Sequence, residues 1–167
     1  MLVRFRLINL REKASRRSLC PEDVLAIACD HRVMAEGRYK IGLNEVAVGL
    51  AVPSWLTGVY AGLLGRRVAE RALQLGEMMS PERALEVGLV DEIAPVEQVF
   101  ERSVAELQLR LGVPDGARRI TKAALRAGAS AAIDHDREHH MDALLDVWFS
   151  DECRSVMAAL IQRLKGG

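Results

Sequence analysis

The sequence predicts an α/β protein whose short strands come first and whose C-terminal part is helical. Within residues 24–41, one short apolar run has the length of a buried strand, and two further short segments are expected to be strands. From Ser54 onward, apolar residues recur at helical spacing, and capping residues separate the segments. Strands followed by a long run of helices are typical of an α/β layer that leads into an all-helical region.

The predicted strands lie close together. Residues 24–29 (VLAIAC) are expected to form a buried strand that ends at Asp30. Residues 32–35 and 39–41 are expected to be two further short strands, because the turn-like pair Glu36-Gly37 separates them.

Residues 42–53 do not fit one regular element, because Gly42, Gly49 and Pro53 interrupt them. Glycine lets the backbone approach a ligand closely, so such segments often line binding sites. Glu45 lies in this segment among apolar residues and glycines. If the segment is buried, desolvation raises the pKa of the Glu45 carboxyl toward the range useful for acid–base catalysis. The alternative is a structural role for Glu45, as a cap or a salt-bridge partner.

Capping signals delimit the helices. A helix over residues 66–75 stops at Gly76, and Ser80 is a natural N-cap ahead of Pro81 for a helix that closes at Gly88. Residues 89–93 are expected to be extended. Further helices are expected over residues 96–111, from Pro114 to about Ala127, over 133–149, and over 152–165 with Asp151 as N-cap.

Composition excludes some functions. The formal net charge of the 167 residues is zero, which argues against a nucleic-acid partner, and no apolar run approaches the ~18 residues of a membrane span. Three cysteines without a CxxC pair fit reduced thiols in a cytosol or matrix. Residues 1–20 carry six cations and one anion, which resembles a mitochondrial transit peptide; a basic surface segment or tail is the alternative.

Four motifs, in order and spacing, resemble the enoyl-CoA hydratases and isomerases of the crotonase family: residues 28–35 (ACDHRVMA), 41–50 (IGLNEVAVGL), 69–76 (AERALQLG) and 80–91 (SPERALEVGLVD). The sequence Leu43-Asn44-Glu45 and the C-terminal segment over residues 148–165 are similar to those of the mitochondrial Δ3,Δ2-enoyl-CoA isomerases of that family. The resemblance implies the C-terminal part of a crotonase-type ββα spiral followed by a helical trimerisation region. Its implied divisions are a basic non-family segment over 1–23, a partial spiral core with the catalytic Glu over 24–95, and a helical region over 96–167.

The resemblance also implies a reaction. Glu45 would be the base that shifts a proton between C2 and C4 of a 3-enoyl-CoA in fatty-acid β-oxidation, giving 2-trans-enoyl-CoA, while two backbone N–H groups stabilise the enolate. No cofactor is expected, because coenzyme A is part of the substrate. The implied partners are an acyl-CoA thioester and further copies in a homotrimer or dimer of trimers, in the mitochondrial matrix or a bacterial cytoplasm. Residues implied to bind or border the substrate are Leu43, Asn44, Trp148, Phe149 and Lys165.

A hydratase is the first alternative. Hydratases use a second carboxylate at the position where this chain has Val24, which favours isomerisation. Glu22 and Asp23 lie one or two residues away, however, so a shift of register would favour hydration.

A non-catalytic subunit that joins crotonase-type oligomers is the second alternative. Residues 1–23 do not resemble the family, whose members carry an oxyanion donor where this chain has Pro21. Proline has no N–H to donate. Because loss of one donor typically costs on the order of 10²–10³ in rate, little activity is expected of this chain alone.

A histidine-rich stretch is a candidate metal site. His135 and His139 have the i, i+4 spacing of zinc motifs, and Asp136 and His140 lie beside them. Without a Glu in the H-E-x-x-H position, a solvated helix face is the preferred interpretation.

Overall fold

The computed structural model describes residues 21–165, with side chains over residues 23–163. The basic segment predicted over residues 1–20 lies outside this range. The helices are α1 (Pro21–Ile27), α2 (Ser54–Leu64), α3 (Arg66–Leu75), α4 (Pro81–Glu86), α5 (Val99–Leu111), α6 (Asp115–His139), α7 (Met141–Trp148) and α8 (Asp151–Lys165). The strands are β1 (Val33–Ala35), β2 (Ile41–Gly42), β3 (Met78–Met79) and β4 (Glu92–Ala94), and a 3₁₀ turn spans Val46–Val48.

The strand predicted over residues 24–29 is wrong, because the chain is helical in α1. A short apolar run fits a buried helix as well as a buried strand. The signals that decide between them precede the run: Pro21 occupies a helix start, and acidic residues follow it in the first turn. Asp23, Ala26 and Ile27 are buried at i, i+3 and i+4, as one helix face.

Two small sheets connect distant parts of the chain. β1 pairs in parallel with β4, so that Ala35 lies opposite Ala94, and β2 pairs antiparallel with β3, so that Gly42 lies opposite Met78. The strand predicted over residues 32–35 is confirmed, whereas the next strand lies at Ile41–Gly42 rather than over 39–41. The extended segment predicted over 89–93 begins later, as β4.

The main core lies where α2 and α3 meet β2 and β3. On α2, Leu56, Tyr60 and Leu64 are buried, and their spacing of four residues places them on one helix face. Ile41 and Met79 from the β2–β3 pair are buried in the same cluster. This core lies under the segment that carries Glu45.

The limits of α3 and α4 are set by capping residues next to the helix ends, as predicted. α3 has the predicted bounds, and Gly76 ends it in the left-handed region at φ +58°. Ser80 caps α4 as predicted, since its Oγ accepts a hydrogen bond from the Arg83 N–H at 3.3 Å. Asp151 does not cap α8; instead the Ser150 Oγ accepts from the Cys153 N–H at 3.1 Å.

α6 is one helix of 25 residues rather than the two segments predicted on either side of residues 128–132. The alanines around Gly128 have high helix propensity. They allow the helix to continue through Gly128, although glycine is a poor helix former. The break comes at His140 instead.

Asp136 on α6 caps the N-terminus of α2, 82 residues away in sequence. Its carboxylate accepts from the Ser54 N–H (2.8 Å), the Ser54 hydroxyl (2.6 Å) and the Trp55 N–H (3.3 Å). These hydrogen bonds, first that from the Ser54 hydroxyl, lower the pKa of Asp136. The predicted solvated face is therefore wrong for Asp136, which is buried, and holds for the exposed His135, His139 and His140.

We expect Asp136→Asn to lower the melting temperature at pH 7, because an amide cannot supply the negative charge that the helix N-terminus favours. A carboxyl whose pKa is lowered by folding stabilises the fold above its ordinary value of 3.8, and this contribution is lost as pH falls through the folded value. The gap between the two melting temperatures should therefore narrow in a thermal titration as pH falls below 3.8. Asp134→Asn, at an exposed position on the same helix, is the control and should leave the curve unchanged. A gap that stays constant with pH would contradict the assignment.

Candidate active site

Glu45 lies directly before the 3₁₀ turn that follows β2. Its main-chain oxygen accepts hydrogen bonds from the N–H groups of Val48 (3.0 Å) and Leu50 (2.8 Å). Gly49 closes the turn with φ +80°, a conformation that other residues rarely adopt. Residues 42–53 thus form no single regular element, as predicted, and the ordered turn within them fixes the backbone of Glu45.

Two close backbone approaches hold this turn in place. A Cβ at Gly42 would lie 2.3 Å from the Glu77 carbonyl oxygen, and a Cβ at Gly76 would lie 2.7 Å from the Ala47 Cβ. Only glycine permits either approach, since real Cβ atoms are not found below 3.0 Å. The connection between α3 and β3 therefore packs directly against the segment on both sides of Glu45.

The Glu45 side chain is half-buried, and its Oε2 atom is buried without a hydrogen-bond partner among the described residues. Burial raises the pKa of Glu45, and a hydrogen bond from its own backbone N–H partly offsets this. A carboxyl with a raised pKa and an uncommitted oxygen can both accept and return a proton.

Tyr60 is a buried polar residue near Glu45 that the sequence analysis did not single out. Its side chain is 0% exposed, and its hydroxyl has no hydrogen-bond partner within the part of the chain that the structure describes. Burial raises the pKa of Tyr60, and the carboxylates of Glu77, Asp23 and Glu45 add to the effect, so the phenol remains protonated. The spacing of Leu56, Tyr60 and Leu64 in the sequence was the available sign of its burial.

The implied substrate-binding residues fall into two groups. Leu43 is buried in the main core and Asn44 is half-buried, and both lead directly into Glu45. Trp148 and Phe149 are 51% and 60% exposed at the C-terminal end of α7. The side chain of Lys165 lies outside the described residues.

α8 packs over the turn that carries Glu45. Cys153 on α8 forms a small core with Val48 and Leu50, and a Cβ at Gly49 would lie 3.1 Å from the Cys153 Cα. Trp148 and Phe149 precede this helix by only a few residues. The C-terminal region is thereby anchored to the candidate site.

A cavity of about 520 Å³ lies between α6 and the loop that joins α1 to β1, and Glu45 is not among its lining residues. Its lining includes Asp30, which pairs with Lys122 and with Arg126, the latter at 2.8 Å. The Arg126 guanidinium also donates to the Ala28 carbonyl at 2.7 Å. These contacts hold α6 against the core.

The histidine-rich stretch provides ring contacts: His135 lies 4.8 Å from His139 and 4.9 Å from His140, measured between ring centroids. Over residues 21–165, no group of three or more His, Cys, Asp or Glu side chains could hold a metal ion. Nor does any helix in this range have the length and apolar character needed to cross a membrane.

The sequence matches the profile of the enoyl-CoA hydratase/isomerase family over residues 23–165. It is 35% identical over 160 residues to the human mitochondrial enoyl-CoA delta isomerase 1, covering 94% of this chain and 53% of the relative. It is 25% identical to a crotonyl-CoA hydratase of Syntrophomonas wolfei, covering 84% of this chain and 54% of the relative. The chain thus spans about half the length of these relatives.

The fold agrees with a solved member. The crystal structure of human mitochondrial Δ3,Δ2-enoyl-CoA isomerase superimposes with a TM-score of 0.82 and 34% identity, over 87% of this chain and 57% of that one. The α/β core of the crotonase fold and its helical C-terminal region are therefore as the sequence implied. This chain belongs to the enoyl-CoA hydratase/isomerase family.

Proposed function

We propose that this chain carries the base-bearing half of an enoyl-CoA isomerase site, with Glu45 as the proton shuttle. The observation that carries the proposal is the half-buried Glu45 carboxyl, whose Oε2 has no partner in the described part of the chain and whose pKa burial raises. The proposed substrate is a 3-enoyl-CoA of fatty-acid β-oxidation. The human isomerases to which the chain is similar support this choice over other members of the family.

The proposed reaction moves one proton and two electron pairs. The Glu45 carboxylate removes a proton from C2, and the C2–H electrons move so that negative charge develops on the thioester oxygen. The thioester carbonyl then re-forms, the enolate electron pair makes the C2–C3 double bond, and the electrons of the C3–C4 double bond form the new C4–H bond with the proton of the now neutral Glu45. One carboxyl suffices, and no cofactor is consumed, because coenzyme A is part of the substrate.

The enolate requires hydrogen-bond donors that Pro21 cannot supply. A sharp test therefore uses a chimera that joins residues 23–167, starting where the match to the family begins, to the N-terminal half of the human relative, beside the 167-residue chain. With 3-enoyl-CoA, the chimera should form 2-trans-enoyl-CoA, followed by its absorbance and by chromatography. A folded chimera that never shifts the double bond would refute the proposal.

Hydration of 2-trans-enoyl-CoA is the second candidate, and the position of Asp23 favours it. Asp23 is only 7% exposed, and its carboxylate, like that of Glu45, raises the pKa of Tyr60. Two carboxylates facing one site could hold a water molecule that adds O–H to C3 and H to C2. Asp23 lies on the buried face of α1, a segment that the sequence analysis predicted to be a strand.

Asp23→Asn in the chimera separates the two candidates. For an isomerase, we expect the double-bond shift to change by no more than a few-fold, because Glu45 alone moves the proton. For a hydratase, loss of a second acid–base group should reduce formation of 3-hydroxyacyl-CoA by about 10²-fold or more. Product analysis with both substrates gives the answer, and a large loss of isomerisation in Asp23→Asn would contradict the single-carboxylate mechanism.

The proposed partners are an acyl-CoA thioester and further copies of the chain, in a homotrimer or a dimer of trimers. Large apolar side chains that are exposed along the C-terminal helices, Ile120, Leu125, Trp148 and Phe149, support an oligomer. The mitochondrial relatives support a location in the matrix. Cys153 is a free thiol, which suits a reducing compartment.

A further inference from the structure

We propose that Tyr60 is a positioning residue for Glu45, and that its phenolic O–H stabilises the ionised Glu45 carboxylate through one bound water. The inference rests on the proposed function, since it concerns the base of that reaction. It adds a residue from α2 to a site that the sequence motifs confine to the segment around Glu45.

The first reason is a pair of complementary unsatisfied atoms. Within the described residues, the Tyr60 hydroxyl and Glu45 Oε2 are both buried, and neither has a hydrogen-bond partner. Buried polar atoms in native proteins are nearly always satisfied, by protein or by ordered water. Tyr60 supplies a donor and the Glu45 carboxylate an acceptor, so a single water could satisfy both.

The second reason is the acidic surrounding of the phenol. Beside burial, three carboxylates raise the pKa of Tyr60: first Glu77 from the connection between α3 and β3, then Asp23 from α1, then Glu45. These carboxylates and burial keep the phenol protonated, so it acts only as a donor toward the acidic groups. Among the three carboxylates, Glu45 is the one with a buried oxygen that lacks a partner in the described chain.

The consequence concerns the protonation state of the base. Burial alone favours the neutral Glu45, which cannot remove a proton. A hydrogen bond donated toward the carboxylate favours the charged form. Tyr60 would thus favour the ionised Glu45 and offset part of the rise that burial causes in its pKa.

The test is a pH titration of the 167-residue chain with ¹³C-labelled glutamate carboxyls, in which Glu45→Gln assigns the signal. We expect Tyr60→Phe to raise the pKa of Glu45 by about 1 pH unit. Tyr39→Phe is the matched control, since Tyr39 is the other tyrosine and is half-buried, and it should leave the Glu45 titration unchanged. An identical Glu45 pKa in the wild type and Tyr60→Phe would overturn the proposal.

A second variant shifts the pKa of Glu45 in the opposite direction and guards against misfolding of Tyr60→Phe. In a Tyr39→Phe background, 3-fluorotyrosine labels only position 60; its more acidic phenol is a stronger donor and should lower the pKa of Glu45. No shift, or a rise, would count against the proposal. The titration needs no turnover, so an inactive chimera with intact Tyr60–Glu45 coupling would refute only the proposed function. Activity that depends on Glu45 without such coupling would refute only the role of Tyr60.

Discussion

Glu45→Gln is expected to abolish the double-bond shift in the chimera, with a loss in kcat on the order of 10²–10⁴-fold. Glutamine has nearly the shape of glutamate and can keep the turn at Val46–Val48, but its amide cannot take a proton from C2. Since the other contacts with the thioester are unchanged, KM should change little, which is the pattern of an interaction made only in the transition state. Steady-state kinetics with a 3-enoyl-CoA measures both constants.

Glu70→Gln is a suitable control, because Glu70 is an exposed residue of α3 that pairs with Arg66 on the surface. This variant should keep full activity. Unchanged turnover in Glu45→Gln, beside an active control, would exclude Glu45 as the base.

Stability gives a second, independent measure of the same substitution. Folding raises the pKa of Glu45, so its contribution to stability is fully present below the ordinary value of 4.5 and is lost as pH rises through the folded value. At pH 7, above 4.5, the wild type has therefore lost stability that the non-titrating glutamine variant keeps. Glu45→Gln should melt at a higher temperature than the wild type at pH 7, and this difference should shrink toward pH 4. An activated base that costs stability is the trade-off expected of an active site.

The elements that the sequence predicted well are those whose limits depend on local chemistry. α3 ends at Gly76 and α4 begins after Ser80 because these residues satisfy backbone groups within one turn. α1 was mistaken for a strand because six apolar residues have no decisive period. The helix-start signal, Pro21 followed by acidic residues, lies before the apolar run and not within it.

The same distinction, between local sequence signals and tertiary contacts, separates the site residues that were predicted from those that were missed. Glu45 and its neighbours were found from consecutive residues, whereas Tyr60 reaches the site only through the packing of α2 on the core. Asp136 was placed on a solvated face because its partners at Ser54 and Trp55 are more than 80 residues away in sequence. Contacts of this kind arise from tertiary structure and leave no local pattern in the sequence.

Gly42→Ala is expected to destabilise the fold by about 3 kcal/mol, the upper part of the range for overpacking. The added Cβ would lie 2.3 Å from the Glu77 carbonyl oxygen and 3.2 Å from the Met78 Cα. Both are backbone atoms, so relief requires β2 and β3 to move apart rather than a side chain to rotate. That movement would open the pairing of Ile41 with Met79, both of which are fully buried in the main core. Urea denaturation at pH 7 measures the loss.

Gly58→Ala is the matched control, because Gly58 lies inside α2 and a Cβ there would meet no atom within 4 Å. Alanine is the better helix former, so this variant should gain about 0.5–1 kcal/mol. Opposite signs for the same substitution would show that the constraint at Gly42 is the contact with Glu77 rather than a general cost of replacing glycine. Because Glu45 follows Gly42 by three residues, any Gly42→Ala protein that still folds should also hold its base out of position and lose turnover. Equal stability of Gly42→Ala and the wild type would mean that β2 and β3 do not pair in this register.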